Sequence, residues 1–405
     1  MKKIELHWQI LIALILAVLF GIYFKDYIGY VGWMGEIFLR ALKMIIIPLI
    51  FSSIVSGIAN IGNAENLGRL GLKTITYYMS TSLMAILTGL VLVNIFKPGV
   101  GADLNLNQPH DMGLTGDTLG QTLINIIPDN IFSAMSSNGQ MLSVIFFAMM
   151  FGFFITRVKS EHQQLMTGLF NAVFEVMMKL TLFIIRFTPL GIFGLVAEKV
   201  AQQTDLPGLL QSMGLYMGVV IAGLIIHSVL TLPLLVKLFG RTNPKKHFRA
   251  MQTPLITAFS TSSSSATLPL TIQSVENNSG VSNKISSFTL PLGATINMDG
   301  TALYECVAVI FIAQAYGVEL TIGKQIIVVI TALLASIGAA GIPMAGLVMI
   351  TIVLTAVGLP LEGVGLILAV DRILDMFRTT VNVWSDTCGA VIIAKMEGEH
   401  LKTDN

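Results

Sequence analysis

Asp371, Arg372, Asp375, Arg378, Thr379, Asn382 and Asp386 fall within sixteen positions of one segment, Leu366 to Ile393, that is otherwise apolar. At the ~100° per residue of an α-helix, all of them except Arg372 share one stripe, with Leu374, Phe377, Val381 and Trp384 on the other side. A charge at the centre of a bilayer costs about 2.5–3.5 kcal/mol, so five charges left facing lipid would cost on the order of 15 kcal/mol. The stripe must face protein, water or a ligand. Arg378 suits a carboxylate, which a guanidinium grips bidentately while keeping its charge. Asp375 suits an ammonium group. Together they match the two charged ends of an acidic amino acid. A purely structural alternative is mutual neutralisation, of Asp371 by its neighbour Arg372 and of Asp375 by Arg378 one helical turn on.

A second tract, Gly293-Ala294-Thr295-Ile296-Asn297-Met298-Asp299-Gly300-Thr301, interrupts the apolar run 287–315. Asn, Asp and Gly favour turns over helix interiors. A break there frees carbonyl oxygens, and with Asn297 and Asp299 these would form an all-oxygen site for a hard cation. A plain kink is the bland reading. Glu305 follows, a further carboxyl at membrane depth, suited to carrying a proton or partnering a buried cation.

These residues need elements that bring irregular backbone into the membrane. Two apolar segments are interrupted by small polar tips, Phe259 to Pro269 and Ser336 to Gly346. Each suits a hairpin that enters the membrane and turns back, a backbone tolerated there only when buried in protein or lining a wet cavity. A Ser-rich soluble loop is the alternative for the first. Pro269 precedes Asn297, and Pro343 precedes Asp371, by the same 28 residues, as an inverted repeat would leave.

Further apolar runs lie near 9–24, 38–61, 74–96, 141–157, 166–198 and 208–238. The first has a basic start like a signal peptide, but Phe24-Lys25-Asp26 is no small-residue cleavage site, so it reads as a first transmembrane helix. Segment 97–130, with Pro98, Asp103, Asn105, Pro109 and Gly113, reads as an exposed loop. The 405 residues are 54% hydrophobic and 12% charged, too few charges for a soluble shell. A formal net charge of +1 gives no pull toward nucleic acid, and Cys306 and Cys388 are too few for a disulfide scaffold or a Cys-rich metal site. One set of loops carries fourteen basic residues, from Lys2 to Lys402, and the alternate set four: Lys25, Lys97, Lys199 and Lys324. That asymmetry places both termini in the cytoplasm.

The motifs Ser263-Ser264-Ser265 with Thr267-Leu268-Pro269, Asn297 to Thr301, Ser336 to Gly346, and Asp375-x-x-Arg378-Thr379-x-x-Asn382-x-x-x-Asp386 occur in order. In them the chain resembles the dicarboxylate/amino acid:cation symporter family, over nearly its whole length. The resemblance implies an all-α polytopic membrane protein with eight transmembrane helices, two re-entrant hairpins and inverted repeats. It implies a homotrimer in which a transport domain slides through a trimerising scaffold, an elevator. Residues 1–70 and 98–205 would be scaffold, the latter including the extracellular loop 97–130. Residues 71–97 and 206–395 would be transport domain, with hairpins near 253–280 and 325–355, the second being the outer gate. Residues 396–405 would be a cytoplasmic tail.

By the same resemblance, Arg378 holds the substrate's side-chain carboxylate and Asp375 its amino group. Thr301, Thr379, Asn382, Ser264, Ile342 and Gly346 supply further contacts. One sodium site would use Gly293, Asn297, Asn382 and Asp386. A second would use Thr295, Ser336, Ile337 and Ala339. A third would use Tyr78, Thr81, Ser82, Asn297 and Asp299, with Met298 between the last two.

Three departures stand out. Archaeal members carry an Arg where this chain has Ser262, and vertebrate members one where it has Met376; Arg372 is the candidate substitute that modulates Asp375. Ala339 replaces a Thr. Glu305 follows the vertebrate pattern, where that residue is tied to proton co-transport and potassium counter-transport. The expected function is symport of glutamate or aspartate with sodium, joined by proton or potassium coupling, in the plasma or inner membrane, with lipid around it. A neutral amino acid or C4-dicarboxylate carrier, proton-only coupling and a passive anion channel are the competing readings. An intramembrane hydrolase would need a base near the Ser-rich tip; the six histidines lie away from both motif cores by sequence, and no Gly-x-Ser-x-Gly elbow occurs, so no enzyme is expected.

Overall fold

The computed structural model describes residues 6–62, 68–101, 124, 127–136, 141–202, 206–338 and 345–404. Among them the chain is helical, with an isolated bridge between Thr242 and Asp404. One group of helices comprises α1 (Leu6–Tyr23), α2 (Gly32–Gly62), the short α4 (Ile131–Ser136), α5 (Met141–Ile155), α6 (Ser160–Ile185) and α7 (Thr188–Gln202). Here α2 packs on α5, α6 and α7, and α7 packs on α1. In lipid, helices associate through close packing more than through water expulsion, so small residues set the approach. The contact of α7 with α2 is of that kind: a Cβ on Gly194 would lie 2.5 Å from the Gly35 nitrogen.

The second group comprises α3 (Gly68–Phe96), α8 (Leu206–Ile226), α9 (Leu232–Leu238), α10 (Pro244–Ala250), α11 (Gln252–Thr261), α12 (Ser264–Ser274), α13 (Asn283–Ile296), α14 (Asp299–Ala315), α15 (Ile322–Gly338), α16 (Ala345–Ala356) and α17 (Val364–Met396). Its centre is α14, which packs along α3 and α17, while α3 also meets α8 and α17 also meets α11 and α13. The 33-residue stretch Asn283–Ala315 is apolar enough to cross a membrane, and its most apolar part lies wholly inside the protein, whereas the most apolar part of Ser160–Ile185 in the first group is only 22% buried. Five helices among the described residues are long and apolar enough to span. Although 33 residues long, α17 is not one of them, because of its polar stripe. The two groups touch where α17 meets α7, α15 meets α2, and α16 meets α2 and α5.

Both expected hairpins are pairs of packed helices. Helices α11 and α12 reverse at Ser262, which takes the left-handed conformation (φ 51°), and Ser263 caps α12 by accepting a hydrogen bond from the Ala266 nitrogen at 3.1 Å. The pair α15–α16 likewise packs together, while its tip, including Ala339 and Ile342, lies outside the described residues. The expected break in 287–315 is real: α13 stops at Ile296, α14 starts at Asp299, and Asn297 and Met298 leave helical geometry.

Residues 397–404 are docked rather than trailing. Lys402 donates from its backbone to Ser279 O (3.0 Å), Asn243 donates to Thr403 O (3.0 Å), and Lys395 pairs with Asp404 (2.8 Å). Glu399 accepts from both the backbone and the hydroxyl of Ser282. Glu397 ties α17 to the start of α3, accepting from Lys73 Nζ (2.6 Å) and Arg69 Nη2 (2.7 Å). Those two bonds, Lys73 first, hold the Glu397 carboxyl below its ordinary range. Its contribution is therefore present above the ordinary glutamate value and lost as pH falls through the lowered one. At neutral pH, E397Q should speed amide exchange at the start of α3, and acidification should do the same to the wild type but not to E397Q. Equal exchange in both proteins at neutral pH would show that the clasp contributes nothing.

Candidate functional site

The guanidinium of Arg378 has no exposed surface. Its Nη2 lies 2.8 Å from Asp375 Oδ1 and 3.0 Å from Asp371 Oδ1. Its Cζ sits 3.7 Å from the centre of the Tyr304 ring, and the Tyr304 hydroxyl donates to Asp371 Oδ1 at 2.5 Å. Helix spacing explains the acceptors: Asp375 is one turn before Arg378 and Asp371 two turns. Helix α14 supplies the aromatic floor, a favourable seat for a desolvated cation. Arg372 is half-buried, with Nη1 at 3.6 Å from Asp375 Oδ2, so the expected neighbour of Asp375 is in place.

Arg378 is not fully satisfied by these partners. Among the described residues its Nε and Nη1 have no hydrogen-bond partner. Nη1 points at the start of α16, where a Cβ on Gly346 would lie 2.8 Å from it and 3.4 Å from Thr301 Cγ2. A guanidinium with free donors beside a glycine and a threonine is arranged to accept an anionic group. Ser264, Thr301, Thr379 and Asn382 are buried. The Asn382 side chain spans α17 and α14: Oδ1 accepts from the Gly300 nitrogen (2.8 Å) and Nδ2 donates to Thr301 Oγ1 (3.1 Å). One turn on from Thr301, Glu305 is buried, and among the described residues neither of its oxygens has a hydrogen-bond partner.

Below this lies an oxygen-rich centre at the α13–α14 break. Asn297 Nδ2 donates to Asp386 Oδ1 (2.9 Å) and to Ser385 Oγ (3.0 Å), and its Oδ1 accepts from Thr81 Oγ1 (3.3 Å). Asp299 Oδ1 accepts from Ser82 Oγ (2.6 Å), while Oδ2 accepts from Ser385 Oγ (2.6 Å) and lies 3.0 Å from His227 Nε2. Tyr78 donates to Thr289 O at 2.7 Å. A Cβ on Gly293 would stand 2.5 Å from Asp386 Oδ1 and 2.8 Å from the Tyr78 hydroxyl, so only glycine leaves that space. Gly293 O and Met298 O already accept from Asn297 N and Ala302 N, so a cation would be a second partner for either. Among the described residues no three His, Cys, Asp or Glu side chains converge as a transition-metal site requires. Neutral oxygens with two carboxylates fit a hard cation.

The other expected ligands are more dispersed. Thr295 Oγ1 donates to Leu292 O (3.0 Å) and Ser336 Oγ to Leu333 O (2.8 Å), on helices α13 and α15 that pack together. Only the backbone of Ile337 is described.

His227 is distant from the motif cores in sequence, yet the fold buries it against Asp299. It stands 72 residues before Asp299 in sequence, and no spacing rule connects them. The available signal was a histidine inside an apolar span. Ser385 and the ring of Tyr304 were also unforeseen.

A bundle holding paired hairpins, a broken helix and a buried charge cluster is the ground plan of a secondary transporter. More narrowly, the chain belongs to the sodium:dicarboxylate symporter family, whose model matches residues 6–396. It is 37% identical to excitatory amino acid transporter 3 of Mus musculus, covering 98% of this chain and 87% of that protein. It is 37% identical to the proton/sodium-glutamate symport protein of Geobacillus stearothermophilus, over 99% and 96%. To the proton/glutamate-aspartate symporter of Escherichia coli strain K12 it is 35% identical, over 98% and 93%.

The space at Gly293 makes a sharp test. G293A should leave the protein folded and strongly weaken any cation dependence of substrate binding, measured as substrate affinity across a sodium titration. An unchanged titration would remove Gly293 from the site.

Proposed function

We propose that the protein is a secondary active symporter that takes up glutamate or aspartate with sodium ions. The observation that carries this reading is Arg378, buried, held by two carboxylates and still presenting unpaired donors beside Gly346 and Thr301. An acidic side chain satisfies those donors, and Asp375 is then available to the amino group. Arg372, 3.6 Å from Asp375 Oδ2, offsets part of the negative charge there. The relatives named for glutamate, sodium and proton symport support the substrate class and the ion.

Sodium binds at the Asn297–Asp299–Asp386 centre, with a further ion between α13 and the second hairpin. Glu305 adds proton co-transport or potassium counter-transport, for which a buried carboxyl without a hydrogen-bond partner is suited. Helices α1, α2 and α4–α7 form a scaffold that trimerises through its apolar outer face. Helices α3 and α8–α17 move as the transport domain, and the α15–α16 hairpin gates it. The narrow contact between the two groups supports sliding of one past the other. Both termini face the cytoplasm, in line with the excess of basic residues in their loops.

Proteoliposomes test the reading directly. Labelled aspartate and glutamate should accumulate against their gradients when sodium is high outside, and R378C should weaken acidic substrates by about 10- to 100-fold while affecting neutral ones less. Equal loss for all substrates would refute the role of Arg378, and accumulation driven by a proton gradient alone would refute sodium coupling. E305Q should abolish the pH or potassium sensitivity of uptake; retention of both would remove Glu305 from the coupling.

A further inference from the structure

His227 occupies a local irregularity. Helix α8 ends at Ile226, and residues His227–Thr231 form a single π-turn before α9, in which the Leu232 nitrogen bonds back to His227 O. Such turns add a residue without ending the helix and often mark functional positions. The turn packs against α3 and α17, the helices that flank Asp299, and Trp384 Nε1 of α17 donates to Ser228 O at 3.1 Å. The bulge is thus gripped from α17 while it aims His227 Nε2 at Asp299 Oδ2, 3.0 Å away. The imidazole is fully buried, and among the described residues its Nδ1 has no hydrogen-bond partner, so that the carboxylate is the polar contact found there.

We propose that His227 is a positioning residue that decides which oxygen of Asp299 meets the cation. Asp299 Oδ2 accepts from both His227 Nε2–H and Ser385 Oγ–H, so its two lone pairs are engaged. Asp299 Oδ1 holds only the Ser82 hydroxyl, which can rotate to offer its own lone pair instead. The carboxylate is therefore pinned with Oδ1 toward Ser82 of α3, the helix that also carries Tyr78 and Thr81. A donor to the non-ligating oxygen of a metal-binding carboxylate fixes its orientation and prepays its ordering. This inference rests on the proposed role of Asp299 as a cation ligand.

Three variants separate positioning from packing. H227L keeps comparable bulk without a donor. H227N carries an amide at the place of Nδ1, too short to reach Asp299. H227Q carries an amide nitrogen at the place of Nε2. Aspartate binding to the purified full-length protein in nanodiscs is measured across sodium concentration, then across aspartate at saturating sodium. H227L and H227N should raise half-saturating sodium by about tenfold or more, and H227Q should return it close to wild type. Aspartate affinity at saturating sodium should hardly change. In a D299N background, H227N should add nothing.

If H227L does not fold, the Asn–Gln pair alone decides. Sodium dependence unchanged in H227N, or H227Q as impaired as H227N, overturns the role. Equal loss of aspartate affinity at saturating sodium overturns it too, since that marks general disruption. A D299N shift without any His227 effect overturns this inference and spares the cation site. A wild type indifferent to sodium overturns both.

Discussion

A guanidinium with no access to water must be neutralised where it stands. Removing charge from water costs several kcal/mol per ion even after relaxation, and only close partners with good geometry offset it. Arg378 meets that demand with two carboxylates from its own helix and an aromatic face from α14. Much of the second helix group follows from it. Helix α14 must lie against α17 to bring Tyr304 into place, and α3 must cover α14 so that both stay dry. The pairing is incomplete by design of the helix geometry: Asp371 and Asp375 both approach Nη2, leaving Nη1 and Nε for another partner. The cluster carries two carboxylates to one guanidinium before Arg372 is counted, so an incoming ammonium group is favoured as well as an incoming carboxylate.

The proposed substrate and cation centres share their supports. Asn382 links α17 to Gly300 and Thr301, immediately beyond the helix break, while Asn297, immediately before it, links to Asp386 and Ser385. Anything that draws Asn297 or Asp299 toward a cation moves the first turn of α14, on which Thr301, Tyr304 and Glu305 are mounted. Linkage between two sites needs such a common element, with each ligand biasing the same local arrangement. The broken helix is that element in the proposed cycle. Ser385 and Asp386 are adjacent on α17 and hold opposite sides of the break, so the two aspartates respond to each other through one hydroxyl and one amide.

Much of this was legible in sequence because membrane insertion penalises polar residues so heavily that each one is informative. The stripe from Asp371 to Asp386 folds as one buried face, and the Asn-Met-Asp tract breaks its helix where turn-forming residues say it should. The hairpin tip at Ser262–Ser263 follows from residues that accept left-handed and capping geometry. What sequence did not reveal depends on distance in space. His227, at the start of a π-turn, meets Asp299 across 72 positions of sequence, a contact that no periodicity encodes. Tyr304 looks like an ordinary apolar helix residue until Arg378 is placed over it. The segment after Met396, expected as a cytoplasmic tail, also pairs through its backbone with the root of the first hairpin and with the α9–α10 connection, which its composition does not reveal.

The composition of α17 also bears on how the molecule is assembled. A helix carrying Asp371, Asp375, Arg378 and Asp386 partitions poorly into lipid by itself, and unlike α3 or the α13–α14 segment it is not apolar enough to hold a transmembrane position alone. Its place in the bilayer depends on Tyr304, Asn297 and the other groups that neutralise and hydrogen-bond it, and all of those precede it in the chain. Biogenesis is therefore ordered: the earlier helices must be in the membrane, with their polar faces still open, when α17 emerges. The residues proposed to bind the cargo would first serve as the receptor for α17.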